Sequence, residues 1–207
     1  MKKNLVIYTR GVNYLSSDSK LSKAIIDWAF LLINTVPNYR TTKPDWLTDE
    51  VMKSERIITL LWKHDINPLS KRRAVEKLIE MINHHKDEYN IILVGTSMGG
   101  AISQEAAKRF DKNTISHIIL VGSINKRKHI NLDGIKILNI YSNRDILARL
   151  ATRLLAPIRG SQFLEGKNAK NIILNDLRHD QFFSDARITS GEFKDLTISQ
   201  AITSWMS

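Results

Sequence analysis

Short apolar runs alternate along the chain with longer stretches whose apolar residues recur at helical spacing. The runs are Leu5-Val6-Ile7-Tyr8, Ile57-Ile58-Thr59-Leu60-Leu61, Ile91-Ile92-Leu93-Val94, Ile118-Ile119-Leu120-Val121, Ile135–Tyr141 and Ile172-Ile173-Leu174. They are nearly continuous in Ile, Leu and Val rather than alternating, which is the pattern of strands covered on both faces of a parallel sheet. Between the first two, Leu21, Ile25, Trp28, Leu31 and Leu32 keep helical spacing, with Ser17 or Asp18 placed to cap the stretch and Pro37 to end it. Ala74, Leu78, Ile79 and Ile82 form a second stripe, opened by Pro68 with Ser70 as a candidate cap. Ala101, Ala106, Ala107 and Phe110 predict a third helix, Leu147, Leu150, Leu154 and Ile158 a fourth, and Ile198–Trp205 a last one. Residues Asn38–Arg56, with Pro44 and mixed polar positions, read as a long connection. Six strands with helical crossovers predict one α/β domain over residues 1–207 with right-handed connections; periodicity leaves the strand order open.

Composition narrows the function classes. With 207 residues, 43% hydrophobic and 25% charged, the chain is sized and balanced for one domain with a real core. No apolar run approaches the roughly 18 to 20 residues that span a bilayer. The start, Met1-Lys2-Lys3 before Leu5-Val6-Ile7, is too short in apolar residues for an export signal, because Thr9-Arg10 closes it. The cytoplasm is therefore the expected location. No cysteine is present, so disulfides, thiolate zinc sites and cysteine nucleophiles are excluded. The net charge of +10 is compatible with an anionic partner, but no basic arm, zinc finger or aromatic RNA-binding signature accompanies it. A nucleic-acid partner is not expected, and the dispersed Lys and Arg residues read mainly as solubility.

The chemistry concentrates in Ile91-Ile92-Leu93-Val94-Gly95-Thr96-Ser97-Met98-Gly99-Gly100-Ala101. Here Gly-x-Ser-x-Gly follows a buried strand and opens a helix of small residues. A serine lifted out at such a turn takes a strained backbone conformation, and Gly95 and Gly99 are needed because a Cβ at either would strike the adjacent strand or helix. The helix then points its first amides at an oxyanion forming beside Ser97. With 9 Gly in 207 residues, chance supplies this pentapeptide about 0.03 times per chain, so the motif is informative. A phosphate-binding turn fits less well, since Ser97 occupies the middle glycine position of a dinucleotide loop and no acidic residue lies about 20 residues onward.

A serine nucleophile needs a base and an orienting acid. Asp145 follows the strand Ile135–Tyr141, and His179 follows Ile172–Leu174; both belong at the C-terminal edge of a parallel sheet. Asp145 has a second reading as a helix cap, and Asp176 is its rival as the acid. His64, after the second strand, is the rival base; His84, His85, His117 and His129 lie at helix ends, a strand start or a basic loop. The second oxyanion donor belongs in Thr9-Arg10-Gly11-Val12-Asn13. If the first strand lies between the second and third, the backbone amides of Val12 and Met98 converge on one oxygen at the switch point of the sheet, with Arg10 and Gly11 at the substrate mouth.

On these residues the chain resembles the α/β-hydrolase superfamily, in particular its small lipase- and esterase-like members. The resemblance rests on Val94-Gly95-Thr96-Ser97-Met98-Gly99-Gly100, on Asp145, on His179 and on the opening strand and loop. It implies a mainly parallel six-stranded sheet with helices on both faces and no separate cap domain, in the family's core strand order without its first two antiparallel strands. It also implies nucleophile Ser97, base His179, acid Asp145 and an oxyanion hole from Val12 and Met98. Two positions depart from the family habit: Arg10-Gly11 stands where His-Gly is frequent, and Thr96 where His is common. The expected activity is hydrolysis of a small-molecule carboxylic ester, with no metal or organic cofactor required. The competing readings are an acyltransferase or thioesterase with the same triad, a catalytically silent binding module of the same fold, and a membrane-surface phospholipase or lysophospholipase. The last is motivated by the charge and by Leu147–Ile158 with Arg149, Arg153 and Arg159, which would give a weak contact with an anionic membrane surface. Only the 13 residues Gly122–Gly134, largely polar, separate the fourth and fifth strands, too few for an apolar helical lid.

Overall fold

The computed structural model describes residues 2–11, 43–61, 68–125, 130–132, 134–145, 148–149, 162–174, 177, 179–189 and 191–207, with the side chains of residues 68, 179 and 180 excepted. Six strands form one sheet: β1 (Lys3–Thr9), β2 (Arg56–Leu60), β3 (Tyr89–Thr96), β4 (Ile115–Val121), β5 (Lys136–Ser142) and β6 (Ala169–Leu174). Their order is β2-β1-β3-β4-β5-β6 and every pairing is parallel. Each predicted strand is present. The observed strands β1, β3, β4 and β6 begin two or three residues earlier than their apolar runs, in polar or half-buried positions apart from the buried Ile115 of β4, because ladder hydrogen bonds continue beyond the buried middle. Leu61 departs from its reading: β2 ends at Leu60 and Leu61 is 70% exposed.

Successive strand residues point to opposite faces, and two cores result. On one face Leu5, Ile7, Ile91, Leu93, Ile118 and Leu120 meet α2 (Pro68–His85) and α3 (Met98–Ala107) through Leu78, Ile82, Ile102 and Ala106. On the other, Val6, Ile92, Val94, Ile119 and Ile140 pack with α1 (Asp49–Met52) and α4 (Ile198–Met206) through Met52, Ile198 and Ile202. The stripe Ala74-Leu78-Ile82 accounts for α2, which starts at Pro68 itself, so Ser70 lies inside the first turn rather than ahead of it. Helix α4 begins with a reciprocal box: Gln200 N–H donates to the Thr197 hydroxyl, and Thr197 N–H donates to the Gln200 side chain.

The part of Asn38–Arg56 that is described is not a plain connection. Trp46, Leu47 and Met52 are fully buried in the second core, and Thr48 caps α1 by accepting from Val51 N–H. The stripe from Leu21 to Leu32 and most of Leu147–Ile158 lie outside the described residues. Among those described, there is no separate cap domain, and no helix is long and apolar enough to cross a membrane.

Candidate active site

Strand register brings the C-terminal ends of the strands level. Thr9 pairs with Gly95, Thr96 with Val121, Val121 with Ile140, and Ser142 with Leu174. With β1 between β2 and β3, the chain reverses its direction of travel across the sheet at the β1/β3 boundary, where open α/β sheets bind ligands. Ser97 stands at that boundary, between the last residue of β3 and the first of α3.

The backbone of Ser97 has φ 51° and ψ −126°. Lys53 also has positive φ (47°), but its ψ of 41° puts it in the ordinary left-handed well at the end of α1. Ser97 lies outside that well, a conformation costing on the order of 1–3 kcal/mol and kept only where the surroundings over-determine it. Those surroundings are glycine-lined, as the motif requires. A Cβ on Gly95 would sit 2.5 Å from the Gly100 Cα, and one on Gly99 would sit 2.0 Å from the Thr9 carbonyl oxygen. Ser97 N–H donates to the Val121 carbonyl (3.4 Å), and its own carbonyl accepts from Gly100 and Ile124 N–H at 3.1 Å each. The Ser123 hydroxyl donates to the Gly95 carbonyl at 3.0 Å, tying the β4 exit to the turn.

A serine ahead of a helix usually caps it, its hydroxyl accepting from the N2 or N3 amide. Ser97 makes no such bond. Its half-buried hydroxyl instead faces the loop after β1: a Cβ on Gly11 would lie 2.5 Å from the Ser97 Cβ and 3.0 Å from its Oγ. The first loop therefore touches the candidate nucleophile, as required of a second oxyanion donor. Met98 follows directly as the first residue of a 10-residue helix, whose leading amides have no intrahelical acceptor. Val12 lies outside the described residues. Arg10 is 7% exposed, so the charge in the first loop is buried rather than open to solvent.

The Thr96 hydroxyl and the Tyr8 phenol are hydrogen-bonded at 3.0 Å in the second core, and burial pushes the Tyr8 phenol up to about 12.

Asp145 is three residues past β5 and fully buried. Its Oδ1 accepts from Ala148 N–H at 2.8 Å and its carbonyl accepts from Arg149 N–H, so it does cap the helical turn that follows. A carboxylate offers about four acceptor sites, and a cap and an oriented imidazole do not exclude each other. Strands about 4.8 Å apart place the ends of β3 and β5 about 10 Å apart, too far for Ser97 and Asp145 to touch and suitable for an imidazole between them. His179 opens a 3-10 turn, His179–Phe183, after β6; its backbone alone is described. That turn is held over the end of β4 by Phe182, whose ring would lie 2.7 Å from a Cβ on Gly122, a residue with φ +55°. Gly122 follows Val121, the partner of Ser97 N–H, so the turn carrying His179 and the elbow flank the same strand end.

Among the rivals, His64 and Asp176 lie outside the described residues, as does His129. His117 is at the start of β4, the opposite end of the sheet from Ser97. His84 and His85 end α2, their rings edge to face at 4.7 Å. Sequence reasoning missed the 43–48 segment, which docks on the 3-10 turn: Trp46 Nε1–H donates to the Phe182 carbonyl at 2.7 Å and Asp45 N–H to the Phe183 carbonyl at 2.9 Å. Two adjacent large apolar residues after Pro44 were its only signal. Among the described residues, no group of His, Asp or Glu gathers as a metal site would require.

No protein-family model and no curated sequence matches the chain. Among solved structures it is similar to one assigned to the α/β hydrolase superfamily from Xanthomonas campestris pv. campestris (12% identity, 98% of this chain and 97% of that one, TM-score 0.46). It is similar also to a structure of the metagenome-derived lipolytic enzymes LipS and LipT (11% identity, 89% and 88%, TM-score 0.50). A cutinase-like protein from Cryptococcus sp. is a third (12% identity, 83% and 75%, TM-score 0.44). At such identities the likeness bears on architecture alone. The all-parallel sheet, its order and the layers of helices on both faces give this chain the α/β-hydrolase fold.

Proposed function

We propose that the protein is a serine hydrolase of carboxylic esters, with Ser97 as nucleophile, His179 as general base and Asp145 as the acid that orients it. The observation that carries this reading is the backbone of Ser97, strained outside the left-handed well at the strand-to-helix turn with its hydroxyl unused as a cap. Strain of that kind at a sheet's switch point belongs to sites where a side chain must be presented rather than packed.

In the proposed reaction His179 takes the Ser97 proton as Oγ attacks the acyl carbon. The carbonyl oxygen of the tetrahedral intermediate becomes an oxyanion, met by the N–H groups of Met98 and Val12; losing one such donor typically costs about 2.7–4 kcal/mol of barrier lowering. The intermediate collapses as the protonated imidazole returns its proton to the departing alkoxide, leaving an acyl-Ser97 ester and free alcohol. Water, deprotonated by the same imidazole, then attacks the acyl carbon. Ser97 leaves with the proton, and the carboxylic acid is released. Asp145 fixes the imidazole's orientation and stabilises its charged form.

The test is labelling with a fluorophosphonate and mapping of the labelled peptide. Label on the peptide containing Ser97, lost together with ester turnover in Ser97→Ala, is the expected result, with a loss of about 10⁴- to 10⁶-fold. Full turnover by purified Ser97→Ala would remove Ser97 from the chemistry.

A further inference from the structure

The 3-10 turn that carries His179 is anchored by its own buried Phe182 ring, but its backbone has little local support. It is five residues long, its i→i+3 hydrogen bonds are poorer than those of an α-helix, and it follows β6, which among the described residues is an edge strand. Ser184 N–H and its hydroxyl donate to the Gln181 carbonyl, which leaves the carbonyls of Phe182 and Phe183 to groups outside the turn. Both are taken by one distant segment. Trp46 Nε1–H donates to the Phe182 carbonyl across 136 positions of sequence, and Asp45 N–H donates to that of Phe183. Trp46 and Phe182 are each 1% exposed. Trp46 is itself wedged among the side chains of the second core with Leu47, Met52, Ile198 and Ile202. A site that needed only apolar volume would take Phe or Leu; a buried indole N–H is tolerated where it has an acceptor to hold.

We propose that Trp46 is a positioning residue of the active site, its indole N–H clamping the Phe182 carbonyl so that the turn bearing His179 stays in register with Ser97. This rests on His179 being the base of the proposed hydrolase. Trp46 touches the turn and not the substrate, so its loss should act on kcat and leave KM unchanged. A displacement near 1 Å in a catalytic group costs up to about 10²-fold in rate.

The experiment measures kcat and KM for p-nitrophenyl butyrate in the wild type, Trp46→Phe, His179→Gln and the double variant, with Ser97→Ala alongside. Ile202→Val, from the same core, gives a control for lost stability. Trp46→Phe is expected to lower kcat about 10- to 100-fold with KM changed less than about 2-fold. In the His179→Gln background the same substitution is expected to change the residual rate less than about 2-fold, because residues acting as a unit are not additive. Unchanged kcat in Trp46→Phe, an equal loss in both backgrounds, or an equal loss in Ile202→Val at matched Tm would each overturn the clamp. Full turnover by His179→Gln or Ser97→Ala would instead overturn the reading beneath it; inactive His179→Gln with active Trp46→Phe overturns the clamp alone. If Trp46→Phe does not fold, β-(3-benzothienyl)alanine at position 46 keeps the ring shape while exchanging N–H for sulfur, and the same outcomes apply.

Discussion

Gly99→Ala separates the packing of the elbow from the stability of the helix it opens. Gly99 lies in the first turn of α3 without a positive φ, so its backbone would accept an alanine, and helix propensity alone favours the change by about 1 kcal/mol. The obstacle is steric. The added Cβ would sit 2.0 Å from the Thr9 carbonyl oxygen, 2.6 Å from the Thr9 carbonyl carbon and 2.8 Å from the Arg10 carbonyl carbon, all backbone. Reaching ordinary contact at 3.4 Å requires the start of α3 and the end of β1 to part by about 1.4 Å. Overpacking of this kind costs about 1–3 kcal/mol, so the net loss of stability is about 0–2 kcal/mol and the drop in Tm at most about 8 °C. The displacement, however, falls between Met98 and the Arg10–Gly11 loop, across the position proposed for the oxyanion. Turnover of p-nitrophenyl butyrate should therefore drop by about 10²-fold or more while the chain stays folded. Gly191→Ala is the contrast: it has φ +83° and no neighbour within 4 Å, so it loses about 1 kcal/mol to strain and no activity. A Gly99→Ala protein with wild-type kcat/KM and a raised Tm would refute the packing argument.

Three further outcomes are expected. His117 is held down to about 4, by burial first and by Lys136 second, while its ring packs on Trp205 and its Nδ1 meets the Ser116 hydroxyl. The unfolded chain takes up this proton near pH 6.5 and the folded chain only near 4, so stability is full above about 6.5 and declines as pH falls between these values. After discounting for partial exposure the decline is about 2 kcal/mol, and His117→Leu should flatten the urea midpoint across that window; an undiminished slope would assign the effect elsewhere. Ester turnover, measured as kcat/KM, should rise with pH through the ordinary imidazole range near 6.5, and His179→Gln should remove this rise while His64→Gln keeps it. The reverse pair of results would move the base to His64. Rate against ester concentration should follow a hyperbola below the solubility limit, and activity confined to emulsions would mean that a segment folds over Ser97 as a lid.

What could be read in the sequence follows from how local each constraint is. The six strands were visible because an all-parallel sheet buries its middle residues on both faces, leaving unbroken runs such as Ile91–Val94. Their starts were not, since Lys3-Asn4 and Tyr89-Asn90 are held by the ladder and not by burial. Leu61 was misread because a run of letters does not show where the neighbouring strand stops; β1 pairs with β2 only as far as Leu60. The elbow was legible because Gly95 packs on Gly99 and Gly100 of the helix it leads into, so that part of the constraint is local, although Gly99 packs on Thr9 of β1 and on Arg10 just after it. Trp46 was not, because its partner Phe182 is a backbone carbonyl, and a carbonyl carries no residue-specific signature.

The state of the hydroxyls around the elbow is the strongest structural argument for chemistry at Ser97. Those of Thr96, Ser97 and Ser123 belong to the turn where β3 ends, while that of Thr9, on the neighbouring strand, is buried without a hydrogen-bond partner. That of Thr96 is fixed to the Tyr8 phenol, and that of Ser123 donates to the Gly95 carbonyl, so both serve the fold. Ser97 contributes to the fold through its backbone, by donating to Val121 and accepting from Gly100 and Ile124. Four backbone constraints thus act on one residue: these three hydrogen bonds and the close approach of Gly11 to its Cβ. Together they hold a conformation that a serine would otherwise leave, at a cost of about 1–3 kcal/mol. A turn needed only for topology would relieve that cost with glycine, which adopts positive φ freely. Glycine fills positions 95, 99 and 100, where space is short, but not position 97, the one residue of the motif with positive φ. The strain is thus the consequence of keeping an Oγ at this point, and the hydroxyl that it presents is the one the helix does not use.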